Sequence, residues 1–466
     1  MASKDIDDNY EKSGLEQQHE SPCPEQEQRD ESSSNKSHFR NVESFPCYVR
    51  FGIPFFLLCT FILLICADIG SGITAESIMM QDGQVVERNS ILNVSVISSV
   101  GKLWNAESYP LAIFIAITSI GWPYIKLAIA TYCWMMPYRS LRRRELMIEI
   151  IDAFGKWSFV DIMVLVEIMV AFRSTVPLGP DLSLEIVLVA QWGFYGFVVA
   201  TMMSLLSTHV ILHFHRRVHY HGNTNTNNNN NNNNINTSND SINNNLEAGD
   251  KLSAEIVSQA VSHTNDENTE AKKWGMKSIG GLSTGFITLA IVSILLSMVI
   301  YLAGVIVNSF EVTSTRGAVS ESTSYSITSI GLEIPKAYID STHIGTRFIQ
   351  AMWFFLGVVI PLWCSFLFLI LYTVPLSKVW MERIFNMAEI AFAWSCAEVL
   401  LLSTIFAVLQ MPIFGDGLVE NDCTACFIIT TRILTEFAIL CVGTALNVTV
   451  NVWLYRKAHS VIYHKL

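Results

Sequence analysis

A chain of 466 residues that is 51% hydrophobic and only 15% charged, with mean hydropathy +0.36, cannot hide so much apolar surface inside a water-soluble fold of ordinary domain size. The formal charge of −11 says little about function, because much of the acid sits in the first fifty residues and a central linker, and no nucleic-acid partner is expected. Cys59, Cys66, Cys133, Cys364, Cys396 and Cys441 lie in apolar runs, which argues against a disulfide scaffold.

Residues 1–45 carry too little aliphatic content to offset the entropy of ordering and read as a disordered acidic tail. The chain opens on a polar stretch and not on a short basic region leading into an apolar one, so the first helix is expected to serve as the targeting signal. Apolar runs of spanning length follow near 49–69, 108–136, 156–176, 186–215, 282–308, 346–375, 387–411 and 425–455. The fold predicted is an all-α integral membrane protein of about eight transmembrane helices, arranged as two parallel four-helix modules with small outer β-like segments. The modules are expected at 46–221 and 278–466, joined by an Asn-rich linker over 222–277.

Basic residues set the expected orientation. Arg139, Arg142, Arg143 and Arg144 follow the second run, and single crossings place Arg216 and Arg217, Lys378 and Arg383, and Arg456 and Lys457 on the same side. That side is read as cytoplasmic, with both termini. The sequon at Asn93 then faces away from the cytoplasm, where glycosylation is possible, whereas the one at Asn236 falls in the cytoplasmic linker.

Both halves carry the same landmarks in the same order. Trp157-Ser158-Phe159-Val160-Asp161-Ile162 corresponds to Trp394-Ser395-Cys396-Ala397-Glu398-Val399. An acid sits five residues before each Trp, Asp152 and Glu389, and a proline interrupts the preceding helix, Pro123 and Pro361. Ile97-Ser98-Ser99-Val100-Gly101 resembles Ile327-Thr328-Ser329-Ile330-Gly331. An even number of crossings per module makes the repeats parallel, with a groove between them as the natural pathway.

At these residues the chain resembles the paraquat-inducible protein A family. The elements that carry the likeness are Pro123-Tyr124-Ile125-Lys126, Gly155-Lys156-Trp157-Ser158-Phe159-Val160-Asp161-Ile162, the segment into Leu103-Trp104, and Gly193-Phe194-Tyr195-Gly196-Phe197. The second half keeps Pro361 and Trp394-Ser395 but has Cys364 in place of the lysine and Glu398 in place of the aspartate. The resemblance implies a membrane component that moves lipid, partnered by a tunnel-forming protein. The paired Cys-x-x-Cys zinc ribbons usual in that family have no counterpart here, so no metal or other cofactor is expected.

Ionised side chains inside apolar helices face the bundle interior by default. Lys126, Asp161, Glu167 and Glu398 are therefore the candidate polar lining for a lipid headgroup or proton, with a structural clamp between helices as the equal alternative. A Lys126–Asp161 bridge is expected, Glu398 is expected to lack a lysine, and Arg432 and Glu436 are spaced to satisfy each other. Pro123 and Pro361 free the carbonyls of Ser119 and Gly357 and form candidate hinges or static kinks. Trp157, Ser158, Trp394 and Ser395 read as packing anchors, and Gly193 and Gly196 as points of close helix approach. Cys423 and Cys426 form either a local disulfide or, as a rival reading, part of a thiol oxidoreductase that would need a second cysteine pair. The run His209, His213, His215, His219, His221 reads as a basic helix end before it reads as a metal site. No nucleotide loop or hydrolase motif appears, so the expectation is a non-enzymatic transport component, or else a tetraspanin-like scaffold.

Overall fold

The computed structural model describes residues 47–81, 84–135, 141–177, 182–214, 282–316, 319–336, 343–418 and 428–464. Cys423, Cys426, Asn236, the first 46 residues and the Asn-rich linker lie outside them, as do His215, His219 and His221.

The first half starts with α1 (Cys47–Ile69), a hairpin of β1 (Ile73–Gln81) and β2 (Gln84–Val94), and the short helix α2 (Val96–Asn105). Next come α3 (Tyr109–Met135), α4 (Leu141–Gly155), a 3-10 turn at Lys156–Phe159 and α5 (Val160–Ala171). The half closes with β3 (Ser174–Pro177), β4 (Leu182–Ala190) and α6 (Trp192–Phe214).

The second half follows the same order. It has α7 (Thr284–Ile306), β5 (Asn308–Arg316), β6 (Val319–Ser326), the short α8 (Ile327–Glu333), α9 (Ile344–Thr373), α10 (Lys378–Trp394), α11 (Ala397–Leu418), β7 (Ile428–Ile433) and α12 (Phe437–His464). Details repeat as well. Ser95 and Ser326 each close a reciprocal capping box, with Ser98 and Ser329, at the start of the short helix. A π turn precedes each helix proline, Ala116–Gly121 before Pro123 and Phe355–Val359 before Pro361. The next helix breaks at the Trp-Ser pair in both halves.

Strands collect at one end, here termed the sheet side. The sheets run antiparallel in the orders β2-β1-β4-β3 and β6-β5-β7, so in each half the strand before the last helix pairs with the first strand after the first helix. Large apolar side chains such as Phe51, Phe55, Leu58, Leu289, Val292 and Val299 stay exposed along α1 and α7, as a lipid-facing belt requires.

Among the described residues seven helices are long and apolar enough to cross a membrane, which makes this a multi-pass, mostly helical membrane protein. The run expected at 156–176 is the exception. There the chain runs through α4, the 3-10 turn and the twelve-residue α5, every residue of which is buried inside the protein. Two expected boundaries move. Residues 186–190 belong to β4 and residues 428–433 to β7, because Leu184-Glu185-Ile186-Val187-Leu188-Val189 and Ile428-Ile429-Thr430-Thr431-Arg432-Ile433 are β-favouring segments apolar enough to merge with the adjoining helix in a hydropathy reading.

Candidate functional site

The two halves meet chiefly along α5 and α11, and this contact is where the intramembrane charges gather. Glu167 is fully buried on α5, and its Oε1 accepts hydrogen bonds from Ser403 (2.9 Å) and Thr404 (3.2 Å) of α11. Trp394 follows Trp157 by 237 residues, and Thr404 follows Glu167 by the same interval. Glu167 thus touches its own counterpart, which is the signature of a residue on a twofold axis.

Further towards the opposite side, Lys156 pairs with Glu398 across the halves and lies 4.9 Å from the centre of the Phe392 ring. This corrects the expectation that Glu398 has no lysine. Its partner comes from the other half, from the lysine adjoining Trp157. Arg432 likewise pairs not with Glu436 but with Glu311, at 3.1 Å, because it lies on β7 beside β5 and not on a helix.

Within the first half the polar residues divide in two groups. Tyr124 donates to Asp68 at 2.7 Å, and the Asp68 carboxylate is the charged neighbour of buried Asp161. Asp161 lines a narrow cavity of about 20 Å³, room for one water molecule, walled by Gly72, Ser95, Ser99 and Leu165.

Lys126, two residues beyond Tyr124, leaves α3 on a different face, since each residue turns the helix by about 100°. Its Nζ packs beside Gly155, where an added Cβ would come within 2.8 Å, and has no hydrogen-bond partner among the described residues. The carboxylate acting on it is Asp152. The expected Lys126–Asp161 bridge is therefore absent, because Gly155 and Asp161 are six residues apart, about 9 Å along a helix.

The landmark acids have a shared use. Asp152 pairs with His209 of α6 at 3.3 Å, and Glu389 accepts from Tyr455 of α12 at 2.8 Å, so each ties the third helix of its half to the last. His209 also stacks on Trp394, with ring centroids 6.4 Å apart, carrying the contact across the halves. Ser158 and Ser395 are buried and Trp157 half-buried at the two helix breaks.

At the proline of the second half the freed Gly357 carbonyl accepts the Tyr301 hydroxyl, and the Leu356 carbonyl accepts the Cys396 N–H at 3.2 Å. Around Pro123 the buried Ser119 hydroxyl has no partner among the described residues. Cys364, in the lysine position of the second half, is fully buried, and Ser365 behind it joins Asn447 and Asn451 in a closed network. Gly193 and Gly196 hold α6 close to Ser71 and Ala67. Asn93 is exposed on the edge strand β2, its side-chain oxygen accepting from Thr74. Among the described residues no three metal-ligating side chains converge.

Residues 83–215 match the sequence profile of the family described as Paraquat-inducible protein A, and this segment contains Lys126, Asp152, Lys156, Asp161 and Glu167. The likeness to the paraquat-inducible protein A family thus lies within the first half and covers less than a third of the chain. The protein named Intermembrane transport protein PqiA from Escherichia coli strain K12 is 32% identical over 117 residues, 24% of this chain and 26% of its own length, and the Shigella flexneri protein of the same name matches to the same extent. The aligned segment thus spans about a quarter of these paraquat-inducible protein A relatives. No solved structure matches the chain.

Asp68, Tyr124 and Lys156 are site residues that the sequence reading passes over. Asp68 closes an otherwise apolar run, and Lys156 stands inside the family element itself, so both were visible as charges. Their partners were not.

Proposed function

We propose that this protein moves a lipid or another amphipathic molecule across or between membranes, and that Lys126 and Asp161 belong to the polar lining of its path. The observation that carries this reading is Lys126, fully buried inside a membrane helix with the Asp152 carboxylate acting on it but with no hydrogen-bond partner among the described residues, a position where an ionisable group costs several kcal/mol and marks a functional site by default. The name of the relatives, an intermembrane transport protein, supports the class of activity. The modules are taken as 46–221 and 278–466, with the basic loops and both termini in the cytoplasm and the sheet side opposite, where Asn93 is open to glycosylation. A tunnel-forming protein docking on the sheet side is the partner this reading calls for.

Replacing Lys126 and Asp161 by alanine, singly and together, tests the proposal. Lipid distribution between membranes is expected to fall in each single variant. A normal distribution in a correctly inserted double variant would remove the lining role and leave a tetraspanin-like scaffold, for which the sheet-side segments and not the charges would matter.

A further inference from the structure

The seam between the halves differs on its two flanks. On one it is closed, with Phe114 of α3 against Phe406 of α11 at 4.4 Å between ring centroids and Leu103, Leu111 and Ile115 packed around Ile413. On the other, its sheet-side end opens into a cavity of about 340 Å³, within the range of small-ligand sites. Val170 and Arg173 line it from the first half, and Tyr325, Ser329, Glu333 and Lys336 from the second.

Ile162, Val166 and Val170 follow one another at helical spacing along one stripe of α5, and Arg173 comes just past the end of that helix. The lower two line an apolar crevice whose opposite wall is Met352, Trp353 and Leu356 of α9. A polar mouth at the end of α5 therefore follows an apolar slot along it, with Val170 lining the one and Val166 the other.

The mouth holds spare donors. Arg173 gives its Nε to Glu185 and one terminal nitrogen to the Lys336 carbonyl, which leaves its second terminal nitrogen without a partner among the described residues. The Tyr325 hydroxyl has none among the described residues either, and burial, with Glu333 and Glu321 nearby, pushes that phenol up so that it remains a donor. Lys336 is paired with Glu333 at 2.6 Å. Donors without partners next to an ammonium–carboxylate pair match a ligand that carries anionic oxygens and a cation of its own.

We propose that this flank binds one zwitterionic glycerophospholipid, its phosphodiester at Arg173 and Tyr325, its amine beside Glu333, and an acyl chain in the crevice along Ile162 and Val166. The crevice has little free space, so the chain enters by parting α5 from α9, and Met163 and Met352, unbranched and adaptable, stand on its two walls. The lipid class rests on the proposed function, whereas the location rests on the cavity and crevice alone.

Native mass spectrometry of the full chain in detergent, titrated with dioleoyl phosphatidylethanolamine, glycerophosphoethanolamine or inorganic phosphate, tests the site. One saturable lipid per chain is expected, bound about tenfold more weakly by Arg173→Gln and Tyr325→Phe, each of which removes one hydrogen bond to the phosphodiester. Met352→Trp, which fills the slot, is expected to abolish binding, and Ile117→Trp on the lipid-facing surface to leave it unchanged. Wild-type binding in Arg173→Gln and Met352→Trp would overturn the site, as would inorganic phosphate competing as well as the lipid. If Met352→Trp fails to fold, the conservative Tyr325→Phe decides. Absence of lipid transfer by a wild-type chain that still binds lipid here would overturn the transport reading and not the site.

Discussion

The Lys156–Glu398 pair joins the two halves, and removing one partner should be costly in a calculable way. The Lys156 side chain is 5% exposed and that of Glu398 is 23% exposed, so Glu398→Ala leaves an almost fully buried ammonium without its counter-charge. Breaking a buried pair costs about 3–5 kcal/mol, and the lower end applies because one partner is partly wet. The Phe392 ring faces the ammonium in parent and variant alike, so its cation–π contact does not enter the difference. The net expectation is a loss of about 3 kcal/mol for Glu398→Ala. The double variant Lys156→Met/Glu398→Leu, which removes both charges at similar volume, should return close to wild type, since apolar replacement of a whole buried pair is often neutral. A double-mutant cycle on thermal unfolding in detergent measures the coupling. Losses that simply add in the double variant, or a Glu398→Ala protein as stable as the parent, would refute this account of how the halves are held.

Gly155 has helical backbone angles, φ −59° and ψ −34°, so Gly155→Ala gains helix propensity of about 1 kcal/mol. Its Cβ would meet only the flexible ends of Leu205, at 2.6 Å, and Lys126, at 2.8 Å, so stability in detergent should change little while the lysine is displaced. Lipid distribution should then suffer as it does in Lys126→Ala; normal distribution would separate the lysine's position from function. Tyr455→Phe removes the tie between α12 and Glu389 and should lower stability by about 1 kcal/mol in the same unfolding assay, with lipid transport retained.

Much of the scaffold was legible because hydrocarbon imposes a one-dimensional signal: length and apolarity identify spanning segments without knowledge of what packs where. The same signal blurred β4 and β7 into the helices after them, since it measures apolarity and not period. It also obscured α5, whose charged lead-in over α4 reads as a loop, although the Trp157 and Trp394 landmarks mark the two helix breaks. The acids and lysines of the site were legible as unusual residues in apolar context. Their pairing was not, because Lys156 meets Glu398 and Glu167 meets Ser403 over more than two hundred residues of chain, and nothing local to either residue encodes the contact.

The same pairings indicate what a fused pair of modules can do that two identical copies cannot. In a symmetric dimer a residue on the axis meets itself, so an acid at position 167 would face an identical acid, and two buried carboxylates in contact resist ionisation together. Here the axis position holds Glu167 in one half and Thr404 in the other, and the hydroxyl supplies the hydrogen bond that a second carboxylate would refuse. Off the axis, symmetry would demand the Lys156–Glu398 pair twice. The counterpart of Lys156 at the same 237-residue interval is Ala393, so Asp161, the counterpart of Glu398, is left without a lysine across the seam and turns to the small cavity beside Asp68. One ion pair therefore locks the halves, while the acid released from the second pair is available inside the first module. The division of labour follows from a single difference, lysine against alanine, at one pair of equivalent positions.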